Sequence, residues 1–246
     1  MDCSSQNEYN FNQNLQQEKE EEIKTEVEFN IRLGFIRKVY GILAFQLLFT
    51  SIFTLWCMSS ESLKKFLVVN RGLFYLVFLL EIVLSFTMIC CKGITRSVPI
   101  NYIVLMIFTF AESYIVGFIC AFTNPKIVFM AACMTFVIVV FLTIYAITTK
   151  TDITMKGSLI FLLSASLLCL IFFNFFFRFK FLHVIICCIS VFIFGIYIVY
   201  DTQLIVGNKR EILQVDDYIL GSYLIYTDII SLFLQLLSLL NIFSSN

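Results

Sequence analysis

Four carboxyl groups interrupt otherwise apolar runs of this chain: Glu81 in "LVFLLEIVLSF", Glu112 in "IFTFAESYIVG", Asp201 in "YIVYDTQLIVG" and Asp228 in "YLIYTDIISLF". No Lys or Arg stands in the middle of these runs to neutralise them. A charged carboxylate at the centre of a bilayer helix costs about 2.5–3.5 kcal/mol on insertion scales, so such groups face a bundle interior or water. Two carboxyls held close together share one proton, because like charges a few ångströms apart do not both ionise cheaply. A pair of this kind is proton-bridged when acidic and mutually repelling, or cation-binding, when basic. Carboxylate oxygens are also the hard ligands that Ca²⁺ prefers, which makes Asp201 and Asp228 candidate Ca²⁺ contacts. The chemistry such a constellation supports is a cation path gated by protons. The plainer alternative is that each carboxyl is protonated and hydrogen-bonded to a neighbouring helix for packing alone.

The elements that must position these groups are membrane spans. The chain has 246 residues, 60% hydrophobic and 14% charged, with 29 Phe and 2 Pro. Soluble domains are about 45–50% apolar and about 25% charged, so a soluble globular class is excluded. Apolar runs of roughly 20 residues recur, each long enough to cross a bilayer core. They predict seven helices, near 38–58, 73–91, 99–121, 127–148, 157–177, 181–206 and 217–243. The breaks between them carry turn or charge signals such as "SSESLKK", "CKGITRSVP", "FTNPK" and "GNKREILQVDD".

Depth along these spans separates the four acids. Glu81, Glu112 and Asp228 fall near span centres, whereas Asp201 lies about 12 Å from the centre of the sixth span. The sixth and seventh spans share a short connection and are expected to be antiparallel neighbours. A hairpin turning near residue 212 places Asp201 opposite Tyr223, about one turn from Asp228, so helix stagger decides whether the two meet. Asp228, Ser231, Gln235 and Ser238 follow a helical spacing and share one face, and Thr109, Glu112 and Ser113 add polar groups to the third span. Glu81, Glu112, Ser231 and Gln235 are therefore candidates to line an ion path, with interhelical hydrogen bonding as the alternative role.

Outside the spans, the segment up to residue 30 is acidic and polar ("QNLQQEKEEEIKTEVEFN") and lacks a signal-peptide h-region. It reads as a cytoplasmic tail, disordered or weakly helical, preceding a membrane domain over 31–246. Eight of the nine cysteines lie in or beside apolar runs and His183 is the single histidine, so packing is favoured over disulfides, zinc or haem. With the N-terminus cytosolic, that side carries Lys24, Arg32, Arg37, Lys38, Lys92, Arg96, Lys150, Lys156, Lys209 and Arg210. The other side carries Lys64, Lys65, Arg71, Lys126, Arg178 and Lys180. Cytoplasmic loops are enriched in Lys and Arg, which favours an inside N-terminus and an outside C-terminus.

Several stretches occur together and in order: "FNIRLGFIRKVYGILAFQLLFT", "EIVLSF", "RSVPIN", "FTFAESYIVG", "TTKTDITMKG", "IVYDTQLIVG" and "DDYILGSYLIYTDIISLFLQLL". In this combination the chain resembles the Bax inhibitor family of membrane proteins, specifically its lifeguard branch, over nearly everything after residue 29. The resemblance implies an all-α fold of seven transmembrane helices, six of them surrounding a central C-terminal helix. It implies a pH-sensitive calcium-leak channel that lowers store calcium and suppresses apoptosis in the Golgi or endoplasmic reticulum membrane, with the plasma membrane as an alternative location. Asp201 and Asp228 match its di-aspartyl pH sensor and Glu81 its second-span glutamate. An arginine that latches the aspartates in bacterial members has Lys92 and Arg96 as candidates here. No cofactor is implied, Ca²⁺ being the permeant ion, and no enzymatic activity.

Three other classes compete. A non-conducting anti-apoptotic protein acting on death-receptor or Bcl-2-type partners is one, with the acidic tail as its docking segment. An intramembrane aspartyl protease fits Tyr200-Asp201, but its second aspartate should follow a Gly-x-Gly turn and here stands in "IYTDII". A seven-helix receptor would need kinked helices, yet Pro99 and Pro125 both lie near span starts.

Overall fold

A computed structural model describes residues 3–149, 151, 157–177, 179–207 and 213–244. The described residues form helices joined by short turns: α1 (Cys3–Ser59), α2 (Glu61–Val69), α3 (Arg71–Cys90), α4 (Lys92–Arg96), α5 (Ile100–Ala121), α6 (Pro125–Thr148), α7 (Gly157–Phe177), α8 (Lys180–Val206) and α9 (Tyr218–Ser244). A 3₁₀ turn, Val215–Asp217, leads into α9. Six helices among the described residues are long and apolar enough to cross a membrane, and α7 contributes the shorter apolar stretch Phe161–Leu170.

Most boundaries fall within a few residues of the expected ones, and the differences have local causes. The first helix does not begin near residue 38: α1 runs unbroken from Cys3, through the segment expected to be a disordered or weakly helical tail. Its acidic stretch from residue 19 to 31 is exposed throughout. From Phe35 onward one stripe is buried, Phe35, Val39, Leu43, Gln46, Thr50, Thr54 and Cys57, at the three- and four-residue spacing of a single helix face. The break "SSESLKK" is partly helical, because the Ser60 side chain accepts from the Leu63 N–H and caps α2, which buries Leu67. The break after the second span holds one further short helix, α4. Asn124 caps α6 in the same manner, ahead of Pro125 in the first helical turn, where its missing N–H costs nothing.

Packing centres on two helices. α1 lies along α5 and α9, while α8 lies along α9 and α6, and α6 also touches α9. α9 is buried on more than one face, through Ile219, Tyr223, Tyr226, Ile230, Leu232 and Leu237. α3 packs mainly on α5 and buries Met88 alone, so its apolar surface is turned outward. A Cβ on Gly117 of α5 would stand 2.9 Å from Cys57 Sγ, so the glycine lets α5 and α1 approach closely. Of the cations used to orient the chain, Lys150, Lys156, Arg178, Lys209 and Arg210 lie outside the described residues.

Candidate functional site

The site is built where α8 and α9 run side by side. Asp201 sits in the last turns of α8 and Asp228 near the middle of α9, 5% and 8% exposed. Their stagger brings the two carboxyls within hydrogen-bonding reach of each other. A hydrogen bond between two carboxyl groups requires a proton on one of them. Asp228 Oδ2 has no hydrogen-bond donor among the described residues. Thr202 and Gln203, next to Asp201, are fully buried as well, and Gln203 Nε2 donates to the Thr151 carbonyl at 3.0 Å.

A second carboxyl pair lies among α3, α5 and α9. The carboxyls of Glu81 of α3 and Glu112 of α5 lie within hydrogen-bonding reach of each other. Tyr223 and Tyr226 of α9 are their electrostatic neighbours. Around this pair runs a chain of side-chain bonds joining α1, α5 and α9. The Thr50 hydroxyl is 2.7 Å from the Tyr226 hydroxyl and 2.8 Å from Ser113 Oγ, and Gln46 Nε2 donates to Thr109 Oγ1 at 2.9 Å. Sequence reading marks Glu81 and Glu112 separately. Their pairing depends on how α3 and α5 are staggered, which a span-by-span reading does not contain.

The rest of the polar stripe on α9 does different work. Ser231 and Gln235 are half-buried. Ser238 lies 3.1 Å from His183 Nε2 of α8 and 3.7 Å from Cys187 Sγ, so the single histidine joins two helices. Among the described residues no group of three or more His, Cys, Asp or Glu is placed to hold a metal ion. A separate cavity of about 520 Å³ opens between α1, α5, α6 and α9, lined by apolar side chains such as Leu47, Val128, Phe136 and Phe233 and by no carboxylate.

The candidate latch residues do not reach the aspartates. Lys92 is exposed at the start of α4. Arg96 instead forks onto Asp217, Nε to Oδ1 at 2.7 Å and Nη2 to Oδ2 at 2.9 Å, just ahead of α9. That hydrogen bond holds the Arg96 guanidinium above its ordinary pKa, with the charge of Asp216 adding to it. Asp217 was not among the expected site residues, and neither was Arg32. The Arg32 guanidinium donates to three backbone carbonyls at the end of α8 and beyond: Leu204 at 2.7 Å, Leu213 at 2.6 Å and Val206 at 3.3 Å. Lys38 Nζ lies 3.4 Å from the centroid of the Tyr218 ring. Backbone acceptors leave no mark in a sequence, so Arg32 carries no local signal beyond its charge.

A family model described as "Inhibitor of apoptosis-promoting Bax1" matches residues 32–245. Protein lifeguard 3 of Homo sapiens is 33% identical to the chain over 221 residues, covering 85% of this chain and 69% of that protein. Protein lifeguard 3 of Mus musculus is 33% identical over 217 residues, with the same coverage. Protein LIFEGUARD 3 of Arabidopsis thaliana is 36% identical over 219 residues, covering 85% of each.

Proposed function

The chain belongs to the Bax inhibitor family of multi-pass membrane proteins, and from that premise we propose that it suppresses apoptosis by leaking Ca²⁺ from the Golgi or endoplasmic reticulum under proton control. Asp201 and Asp228 are the sensor, and the observation that carries the reading is their meeting in the packed interface of α8 and α9. When one proton bridges them, the two helices are tied at that point. When the proton leaves, two anions repel across the same interface and offer oxygen ligands to a divalent cation. Glu81 and Glu112 form a second carboxyl station, and Ser231 and Gln235 extend a polar face from Asp228. Ca²⁺ is cargo in this scheme, and no bound cofactor or catalytic step is invoked.

The same reading takes α7 as a full crossing, giving seven spans with α9 at the hub, and places residues 1–30 in the cytosol. Parity supports the count. Arg32 at the start of the first span touches Leu204 at the end of α8 and Leu213 beyond it, so an even number of crossings separates Arg32 from Leu204. α1, α3, α5, α6 and α8 supply five, and α7 supplies the sixth.

The test is Ca²⁺ flux from liposomes containing purified protein between pH 5 and pH 8. Flux should rise with pH, and Asp201→Asn or Asp228→Asn should flatten the rise. Absence of flux at every pH overturns the channel reading. The second reading, a non-conducting protein that docks on apoptosis regulators, is favoured by the exposed acidic helix of residues 19–31, and would then replace it.

A further inference from the structure

The geometry points to Arg32 as the positioning residue of the Asp201–Asp228 pair, an inference that rests on the reading of that pair as a proton sensor. The end of a helix leaves carbonyls without intrahelical partners, and a cation there complements the negative end of the helix dipole. Arg32 meets this need with its whole fork: Nη2 on Leu204, Nε on Val206, and Nη1 across to Leu213. The Leu213 N–H also donates to the Leu204 carbonyl at 3.2 Å, so Leu204 and Leu213 are tied twice.

The guanidinium has a fitted seat. On one side its Cζ lies 4.6 Å from the centroid of Phe35, which is 2% exposed. On the other side is the bare backbone of Gly207, at φ 77°, where a Cβ would stand 2.5 Å from Nε. A positive φ and a close approach both require glycine at this point. Arg32 makes no salt bridge with a carboxylate of the described residues, so its charge is directed wholly at the helix end.

Leu204 is three residues from Asp201, less than one helical turn, so fixing the end of α8 fixes the height and rotation of Asp201. The start of α9 is held to the same scaffold by Lys38 over Tyr218 and by Arg96 on Asp217. Both arms of the hairpin that carries the aspartates are thereby referenced to α1 and α4. Without the fork, the end of α8 shifts and the two carboxyls separate.

The sign of the effect distinguishes position from charge. Separating two like charges lowers the upper titration step of a coupled pair, whereas removing a nearby cation raises it. Among the described residues, the other ionisable groups that these elements bury or half-bury are Tyr40 and Cys57 of α1, Glu81 of α3, Glu112, Tyr114 and Cys120 of α5, His183, Cys187, Tyr197 and Tyr200 of α8, Asp217 ahead of α9, and Tyr218, Tyr223 and Tyr226 of α9; α6 buries none. Arg32 itself stays charged throughout the range.

Arg32→Lys keeps the charge and loses the fork, and it is expected to move the midpoint of the flux–pH curve down by about half a unit or more. Gly207→Ala displaces the same guanidinium without altering any charge and should move it the same way, which also serves if Arg32→Ala fails to fold. In parallel, the carboxyl C=O infrared band of the pair, assigned with Asp201→Asn, is titrated in detergent. That band reports the pair whether or not calcium flows, so absent flux in wild type defeats the channel reading and leaves Arg32 testable. A wild-type infrared midpoint in Arg32→Lys overturns the proposal. So does an upward shift confined to Arg32→Ala, which would mark a charge effect alone.

Discussion

Buried polar side chains in this bundle differ in how completely they are satisfied, and that decides what their removal does. Thr50 bonds the Gln46 carbonyl, Ser113 and Tyr226 together, so it ties α1 to both α5 and α9. Hydrogen bonds between membrane helices average about 0.6 kcal/mol, with about 1.7 kcal/mol at the top of the range. Tyr226→Phe should therefore destabilise by about 1 kcal/mol, read as a lower midpoint of unfolding in detergent. Gln46 is different, because its Oε1 is buried without a partner among the described residues while Nε2 reaches Thr109. Its replacement by an apolar side chain of similar size orphans no partner, because Thr109 Oγ1 still donates to the Leu105 carbonyl. Gln46→Leu should leave the unfolding midpoint unchanged or raise it; a loss as large as that of Tyr226→Phe would show that the glutamine contributes more than its one bond. At this scale the sequence is informative about which acids are unusual, because Glu81, Glu112, Asp201 and Asp228 each stand out against an apolar run. It is silent on partners: that Glu81 takes Glu112 and Asp201 takes Asp228 follows from helix stagger, and Arg32 binds carbonyls that every residue possesses.

Between elements, close approach and charge pairing act at opposite ends of the bundle's interfaces. α1 and α5 meet where Gly117 faces Cys57 and Phe53, with a hypothetical Cβ at 2.9 Å and 3.3 Å from their nearest atoms. Gly117→Val adds volume that neither helix can absorb and should cost about 1–3 kcal/mol. Cys57→Ala in the same chain should recover part of that loss, as measured by the unfolding midpoint of single and double variants. If the double variant is no better than Gly117→Val, the contact with Cys57 is not the source of the strain. α4 and the start of α9 are joined instead by Arg96 and Asp217. A base whose pKa is raised in the fold contributes fully below its unfolded value, so the Arg96 side of this pair is constant over the pH range in which carboxyls titrate. Arg96→Ala should shift stability by the same amount at pH 6 and pH 8, and the exchange Arg96→Asp with Asp217→Arg should restore much of it. The apolar runs made the long helices legible, but α2 and α4 were read as breaks. Their formation depends on caps and on neighbours to pack against, which short polar stretches do not advertise.

Across the whole molecule, one end gathers the cations that matter for orientation. Arg32 and Lys38 of α1 and Arg96 of α4 converge on the connection between α8 and α9, although they are distant in sequence. Residues in contact lie on one side of the bilayer, so this end is a single face, and the proposed orientation, which follows its Lys and Arg, puts it in the cytosol. The alternation then fixes every other connection. The turns between α1 and α2 and between α5 and α6 fall on the far side, as does the end of α9, provided that α7 crosses. Engineered Asn-x-Ser acceptors test each connection in turn, since only those delivered to the lumen are glycosylated. Acceptors beside Ser60, beside Asn124 and after Ser244 should be modified, and acceptors ahead of Arg32 or beside Gly93 should not. The acceptor after Ser244 is the most discriminating. Left unmodified while those beside Ser60 and Asn124 are modified, it would mean that one of the last three helices fails to cross. On the proposed count, with an even number of crossings before α9 as the Arg32 contact supports, that helix would be α9.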